Sequence, residues 1–255
     1  MSLNKSQIKL LATKLIRTHN NKKLIPALSL SYDYSMDEAY KIQRMVIDHE
    51  ISQGRKIIGW KLGYTSIAMR NQMNVSEPNY GPLLDNMILP SGSTISRNLV
   101  QPKVEPEIAL SFQKHLHGSF TFKQVTDAID KAYIALEVVD SVYKNYSFKI
   151  EDNTADRSSA AQFVLGPVIN HDALDETDII FNKNGETIAK CKGSAASGHP
   201  LNGILWLIKR LEKQGSRIET GQIIITGGLT SAVDINNGDL IEAITADSKK
   251  VQAYG

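Results

Sequence analysis

The sequence predicts an α+β fold, in which a helical N-terminal region is followed by a β-rich core. In the first third of the chain, apolar residues recur at the three- and four-residue spacing that is typical of amphipathic helices. From about residue 76 they fall in short runs separated by glycine and proline, which is typical of strands. We therefore expect a helical region over residues 1–75 and a β-rich core over residues 76–255, together forming one compact domain.

Two long helices are predicted in the N-terminal region. The first spans residues 6–18, and the second begins at a capping box, Ser35–Glu38, and stops near Gly54. The apolar face of the first helix carries Ile8, Leu11, Ala12 and Leu15. That of the second carries Ala39, Ile42, Met45 and Val46. A third, short helix is expected near residues 66–73.

Short β-prone runs predict the strands of the core. They lie at residues 56–63, 104–112, 133–139, 161–165, 222–226 and 240–245. Among them we expect a helix over residues 122–132 and a second one from Pro200 to Gly215. Asn184–Gly185 predicts a hairpin turn. Residues 78–92 are rich in glycine and proline and residues 152–159 are polar, so both are predicted to be loops.

Composition excludes several classes of protein. Of the 255 residues, 42% are hydrophobic and 22% are charged, and the net charge is +2 with scattered basic residues. We therefore expect neither nucleic-acid nor membrane binding, and no apolar run is long enough to span a bilayer. Cys191 is the one cysteine, which rules out an internal disulfide and cysteine-rich zinc sites. The N-terminal residues do not resemble a signal peptide, so a cytoplasmic location is expected.

The most informative motif is Glu105-Pro106-Glu107, at the start of a predicted strand. Strand side chains alternate between faces, so the two carboxylates point the same way and repel each other. A hard cation with oxygen ligands, such as Mg²⁺ or Mn²⁺, would remove this conflict. The alternative is a solvated strand edge protected by the proline.

Glu137 is a third candidate ligand, because it stands inside an otherwise apolar run, Ala135–Val139. A lone carboxylate buried there would be costly and needs a cation, a hydrogen-bond donor or a proton. A core salt bridge to an arginine or lysine is the alternative. One ion would explain three such carboxylates together.

Two glycine-containing motifs could complete a site. Lys61 lies between Gly59 and Gly63 in a predicted strand, where it could hold a substrate carboxylate or enolate oxygen, or simply extend to solvent. Gly227–Gly228 follows an apolar strand and precedes hydroxyl side chains. It could form a nest of N–H groups for an anionic oxygen, or an ordinary turn.

Seven short motifs occur in an order that resembles a known family. They are Gly59–Ser66, Tyr80–Leu83, Val104–Leu110, Ala135–Val139, Thr154–Asp156, Gly198–Asn202 and Ile225–Leu229. Together they resemble the 2-keto-4-pentenoate hydratase / 4-oxalocrotonate decarboxylase family, within the fumarylacetoacetate hydrolase superfamily. The resemblance covers nearly the whole chain.

The resemblance implies the β-rich mixed-sheet core of the fumarylacetoacetate hydrolase C-terminal type, preceded by a helical region. It implies that Glu105, Glu107 and Glu137 hold Mg²⁺ or Mn²⁺, and that Lys61 and Asn79 are catalytic. The substrate is then expected to contact Thr65, Ser66, Asp156, Ser159, Gly227 and Thr230. Homo-oligomers are usual in the family, and a complex with a related decarboxylase, hydratase or aldolase is a further expectation.

The implied activity is that of a metal-dependent lyase acting on small 2-keto or 2-hydroxydienoic acids from meta-cleavage of aromatic rings. The leading expectation is a hydratase that converts 2-hydroxypenta-2,4-dienoate to 4-hydroxy-2-oxopentanoate. One departure matters: family hydratases usually carry an aspartate where this chain has Asn79, and an amide cannot act as a carboxylate base. The alternatives are a 4-oxalocrotonate-type decarboxylase, an acylpyruvate C–C hydrolase and a non-catalytic partner subunit.

Overall fold

The computed structural model describes residues 2–66, 70 and 75–255. The two long N-terminal helices are α1, Lys5–Asn20, and α2, Met36–Ser52. Further α-helices span Phe122–Thr126, Ile150–Ala155 and Pro200–Lys213. The predicted short helix near residues 66–73 falls largely outside the described residues. The α+β class is confirmed.

The strands of the described residues form two mixed sheets. They are β1 Ile57–Gly63, β2 Asn79–Leu84, β3 Ile88–Pro90, β4 Ser93–Thr94, β5 Lys103–Phe112, β6 Ile129–Val139, β7 Ala160–Ile169, β8 Asp178–Lys183, β9 Glu186–Lys192, β10 Ile223–Ile225, β11 Val233–Asp234, β12 Leu240–Thr245 and β13 Lys250–Tyr254. The larger sheet has the order β2-β1-β10-β5-β6-β7-β3, with β11 also paired to β5, and the smaller one has the order β4-β13-β12-β8-β9. β1 and β10 run parallel, whereas β5 pairs antiparallel with both β10 and β6.

Both N-terminal helices begin at a capping box, of which only the one at Ser35 was predicted. Asn4 and Gln7 form a capping box at α1, and Ser35 and Glu38 form the predicted one at α2. Their apolar faces pack together in one buried cluster that also includes Tyr143. This cluster holds the helical region against the loop and helix that follow β6.

Three predicted elements differ from the structure, and one strand was not predicted. The helix expected over residues 122–132 ends at Thr126, and residues 129–139 form β6 because they pair along their length with β5. The expected loop over residues 78–92 contains β2, an edge strand that tolerates Pro82. The expected loop over residues 152–159 begins as the helix Ile150–Ala155. The last strand, β13, was not predicted.

The hairpin prediction is confirmed, because Asn184 and Gly185 both have positive φ, 54° and 83°, between β8 and β9. β1 lies before the expected boundary at residue 75, yet it pairs within the large sheet. The division at residue 75 itself stays a prediction. None of the described helices combines the length and the apolar character that crossing a bilayer requires.

Candidate active site

Three carboxylates meet on one face of the β5–β6 pair. Glu105 and Glu107 are two residues apart on β5, and Glu137 on β6 lies directly opposite Glu105 in the antiparallel register. One oxygen from each lies within 4.8 Å of the others. Glu107 and Glu137 are buried, and Glu105 is partly exposed. The antiparallel register thus brings together side chains that are about thirty residues apart in the chain.

The buried oxygens of this cluster fit a divalent cation. Glu107 Oε1 and Glu137 Oε2 accept no hydrogen bond from the described residues. An ionised oxygen buried without a partner is strongly destabilised, and the full desolvation penalty is several kcal/mol per ion. Carboxylate oxygens are the ligands that Mg²⁺ and Mn²⁺ prefer. The donor set therefore suits one of these ions.

The Gly227–Gly228 turn supports the carboxylates directly. The Gly227 N–H donates to Glu107 Oε2 at 2.7 Å, in a backbone conformation with φ of +105° that favours glycine. A Cβ at Gly228 would collide with the Glu105 carboxylate. In the predicted nest of N–H groups, the Gly227 N–H therefore binds a glutamate carboxylate. Thr230, a few residues later, is partly exposed and donates its hydroxyl to the Ser231 carbonyl at 3.1 Å.

Lys61 supplies positive charge beside the cluster. Its Nζ lies 3.1 Å from Glu137 Oε1 and donates to the Ser158 carbonyl at 3.0 Å, and the side chain is buried. Burial lowers the pKa of Lys61, but the negative charges of Glu137, Glu105 and Glu107 outweigh burial and raise it overall. The ammonium group is therefore charged at neutral pH.

The neighbouring negative charges favour the charged form of Lys61, but together with burial they favour the neutral, protonated form of the Glu105 and Glu107 carboxyl groups. Burial, followed by the charge of Glu137 and opposed by Lys61, raises the pKa of Glu105 to about 8 from an ordinary value of 4.5. Burial and the charges of Glu137 and Glu105 also raise the pKa of Glu107. Without a cation, the cluster therefore retains protons at neutral pH.

Mg²⁺ should stabilise the protein more at high pH than at low pH. Between about pH 4.5 and pH 8, Glu105 keeps its proton when folded and loses it when unfolded, so the metal-free protein loses stability as pH rises. A cation binds the ionised form and reverses this loss. We expect the increase in melting temperature on adding Mg²⁺ to grow from about pH 5 to about pH 8. An Mg²⁺ effect independent of pH would contradict the raised pKa.

A cavity of about 310 Å³ opens next to Lys61 and Glu105. Three of the predicted substrate-binding residues, Thr65, Ser66 and Ser159, line it. Its volume is at the small end of the range for ligand sites. The cavity therefore brings hydroxyl groups, an ammonium group and a carboxylate of the cluster together around a space that fits a small ligand.

Asn79 and Asp156 are not among the described residues that line this cavity. The Asn79 amide is buried and donates to Asn153 Oδ1 and Thr154 Oγ1, both at 2.8 Å. Its Oδ1 accepts from Ser158 Oγ at 2.9 Å. Asp156 is also buried, and its oxygens contact His19 and the Val142 N–H. Both side chains therefore support the wall behind the cavity.

Several lining residues were missed by the sequence predictions, among them Lys103, Tyr146 and Ser158. Lys103 precedes Glu105 by two residues on β5, so the strand alternation that paired Glu105 with Glu107 could have found it. Ser158 had no such signal of its own, although it lies in the polar loop predicted over residues 152–159, next to the predicted Ser159.

Comparison with known proteins gives relatives over almost the full chain. No model of a protein family matches it. The chain is 32% identical over 228 residues to 2-keto-4-pentenoate hydratase of Paraburkholderia xenovorans LB400, covering 88% of this chain and 85% of the relative. It is 32% identical over 246 residues to 4-oxalocrotonate decarboxylase of Pseudomonas sp. CF600, covering 94% and 93%.

Solved structures agree with these relatives. The 4-oxalocrotonate decarboxylase from Pseudomonas putida G7, complexed with magnesium and adipate, superimposes with a TM-score of 0.94 at 31% identity, over 99% of this chain and 98% of that one. A fumarylpyruvate hydrolase from Pseudomonas aeruginosa, in complex with Mn²⁺ and pyruvate, matches with a TM-score of 0.61 at 12% identity, over 76% of this chain and 87% of that one, which shows the shared fold alone.

The ordered motifs, the mixed sheets and the identities above 30% over most of both chains lead to one conclusion. This chain belongs to the 2-keto-4-pentenoate hydratase / 4-oxalocrotonate decarboxylase family.

Proposed function

We propose that this protein is a divalent-metal-dependent lyase that hydrates 2-hydroxypenta-2,4-dienoate to 4-hydroxy-2-oxopentanoate, in the catabolism of aromatic rings by meta-cleavage. The observation that carries the proposal is the carboxylate cluster with unpaired buried oxygens, set beside Lys61 and a small cavity. Several relatives are named 2-keto-4-pentenoate hydratase.

In this proposal Glu105, Glu107 and Glu137 hold Mg²⁺ or Mn²⁺. When bound, such an ion supplies Lewis acidity toward a 1-carboxylate and a 2-oxygen. Lys61 places a second positive charge where negative charge develops on the substrate oxygens, in a site largely shielded from water. The hydroxyl groups of Thr65, Ser66 and Ser159 hold the substrate. Gly227 acts through Glu107, and we assign Asp156 and Thr230 indirect roles in shaping the site.

The charge distribution of the cavity favours a substrate with one carboxylate. Lys103 also lines the cavity, but its Nζ is already paired with Asp234 Oδ1 at 2.8 Å. Besides Lys61, Lys103 and Glu105, the described lining residues carry no charge, and they include the apolar Leu62, Val139, Phe148 and Ala232. An uncharged vinyl tail is compatible with this lining, whereas a second carboxylate would have to compete with Asp234 for Lys103.

Decarboxylation of 4-oxalocrotonate is the second candidate, and the bonding of Asn79 favours it. Both N–H groups of the Asn79 amide are engaged and its oxygen accepts from Ser158, so this position offers no base to activate water. Loss of CO₂ needs the same electron-accepting ion without that base. The relative with a TM-score of 0.94 is a decarboxylase.

An assay panel with added Mg²⁺ or Mn²⁺ tests the proposal. It follows loss of 2-hydroxypenta-2,4-dienoate, CO₂ release from 4-oxalocrotonate and cleavage of an acylpyruvate, each with and without EDTA. We expect EDTA-sensitive loss of the dienoate to be the fastest of the three reactions. Faster CO₂ release would assign the decarboxylase instead, and acylpyruvate cleavage alone would reject both lyase assignments.

Replacing Asn79 with aspartate should shift the balance of reactions toward hydration. A carboxylate here restores the base that family hydratases usually carry, and general base catalysis contributes roughly 10²- to 10⁴-fold. We expect the ratio of hydration to decarboxylation to rise about tenfold or more, because the contacts around Asn79 limit the gain. Asn182→Asp, which makes the same change on β8 of the smaller sheet, is the control. An equal shift in both variants, or none, would contradict this role.

We propose further that the protein is a cytoplasmic homo-oligomer, and that it forms a complex with a related decarboxylase, hydratase or aldolase. The support is the family resemblance. Light scattering after size-exclusion chromatography would measure the oligomer directly, and a monomeric mass would reject it.

A further inference from the structure

Three consecutive residues beside the cavity adopt a left-handed backbone. Arg157, Ser158 and Ser159 have φ angles of 57°, 55° and 56°, although none of them is glycine. Side chains with a Cβ disfavour this conformation, and such residues persist only where their surroundings hold them. We call residues 157–159 the left-handed turn.

The left-handed turn sets the position of Lys61. The Ser158 carbonyl accepts from Lys61 Nζ at 3.0 Å, and Ser158 Oγ donates to the Asn79 amide oxygen. Ser159 Oγ accepts from Asn153 at 2.8 Å, and both serines line the cavity. A change in the backbone at Ser158 would therefore move the acceptor that orients the Lys61 ammonium group.

The last turn of α1 contacts the first residue of the left-handed turn and the residue that precedes it. Asp156, which precedes it, is 1% exposed, and its Oδ1 lies 2.5 Å from His19 Nε2 in the last turn of α1. Arg157 Nη2 lies 3.1 Å from His19 Nδ1. The same Nη2 lies 3.3 Å from His19 Nε2, so the His19 ring contacts the side chains of both Asp156 and Arg157.

The remaining contacts of the turn come from the core of the fold. The Asp140 N–H donates to the Ser159 carbonyl at 2.9 Å, and a Cβ at Gly81 would collide with the Arg157 carbonyl. These contacts hold the far end of the turn and its outer side. Its N-terminal end is held by Asp156, which also accepts from the Val142 N–H at 3.2 Å, and by the contacts of Asp156 and Arg157 with His19.

We propose that His19 is a positioning residue for the active site. It bridges Asp156 and Arg157, and so keeps the left-handed turn in the conformation that directs the Ser158 carbonyl at Lys61. This rests on the proposed function only where it takes Lys61 to be catalytic. The N-terminal helical region then contributes to turnover through a side chain that touches neither substrate nor metal.

Three variants test the role of His19. His19→Ala removes both contacts, whereas His19→Gln keeps one donor and one acceptor on a side chain of similar reach. His49→Ala is the matched control, because His49 lies in the last turn of α2 and equally favours a helix C-terminus. Each is compared for kcat, KM, melting temperature and hydrogen–deuterium exchange of the peptide that contains residues 156–160.

We expect His19→Ala to lower kcat roughly 10- to 100-fold, since small misplacements of catalytic groups have effects of this size. Its KM should change little, and exchange should accelerate in residues 156–160 more than elsewhere. His19→Gln should restore most of kcat and of the protection, and His49→Ala should resemble the wild type.

Two results would overturn the proposal. One is a His19→Ala protein that matches His49→Ala in kcat and in exchange of the turn. The other is a general loss of protection and stability that His19→Gln does not restore, which would indicate a purely structural role. If the wild type turns over neither the dienoate nor 4-oxalocrotonate, the proposed function fails, and the exchange pattern still decides whether His19 holds the turn.

Discussion

Replacing Glu107 with glutamine is expected to abolish metal-dependent turnover. Glutamine keeps the shape of the side chain, and its carbonyl oxygen can still accept from the Gly227 N–H. It removes the negative charge from a buried oxygen that has no other described partner. We expect kcat/KM to fall by at least about 10²- to 10³-fold, the size of effect seen when one electrostatic stabiliser is lost.

Calorimetric titration with Mn²⁺ should show the cause of this loss, as a weaker or undetectable binding isotherm. Glu176→Gln is the control, because its carboxylate is exposed and pairs only with Lys192 and solvent among the described residues. Retained turnover in Glu107→Gln, with no effect of EDTA on the wild type, would reject the metal site altogether.

Replacing Lys61 with methionine is expected to separate catalysis from metal binding. Methionine fills nearly the same volume without the charge, so turnover should fall about 10²- to 10³-fold for want of positive charge at the substrate oxygens. Mn²⁺ binding should persist, because Lys61 repels a cation and ligates none. The experiment measures kcat and Mn²⁺ affinity for the same variant, and we expect only kcat to fall.

Lys183→Met is the matched control for Lys61. Like Lys61, Lys183 forms an ion pair, with Asp239 at 2.9 Å. It is only partly buried and lies on β8 in the other sheet. Its loss should leave kcat near the wild-type value. A Lys61→Met protein that loses turnover only because Mn²⁺ no longer binds would contradict a catalytic role for the ammonium group.

Local patterns predicted the parts of the site that depend on local structure. Strand alternation placed Glu105 and Glu107 on one face, and the capping box at Ser35 gave the start of α2. Neither pattern contains the register that sets Glu137 opposite Glu105, because register depends on which strands pair. Family resemblance, rather than local pattern, joined these glutamates to Lys61.

The errors in the predicted elements also arise because local patterns do not contain the contacts made with distant parts of the chain. Residues 129–132 continue a helical pattern, but pairing with β5 outweighs that preference and draws them into β6. The left-handed turn contains no glycine to announce it, since its conformation is imposed by contacts with His19, Asn79 and the Asp140 N–H. A conformation that depends on contacts with residues far away in the sequence is difficult to recognise from the local sequence.

The place of β10 in the large sheet has a consequence for synthesis of the protein. β10 is only three residues long, yet it separates β1, which carries Lys61, from β5, which carries Glu105 and Glu107. A nascent chain that still lacks residues 223–225 cannot join these strands in their final order, whatever its earlier segments have formed. The lysine and the carboxylates therefore take up their final arrangement only after residues 223–225 have been made. A chain that ends before residue 223 is therefore expected to lack the assembled site.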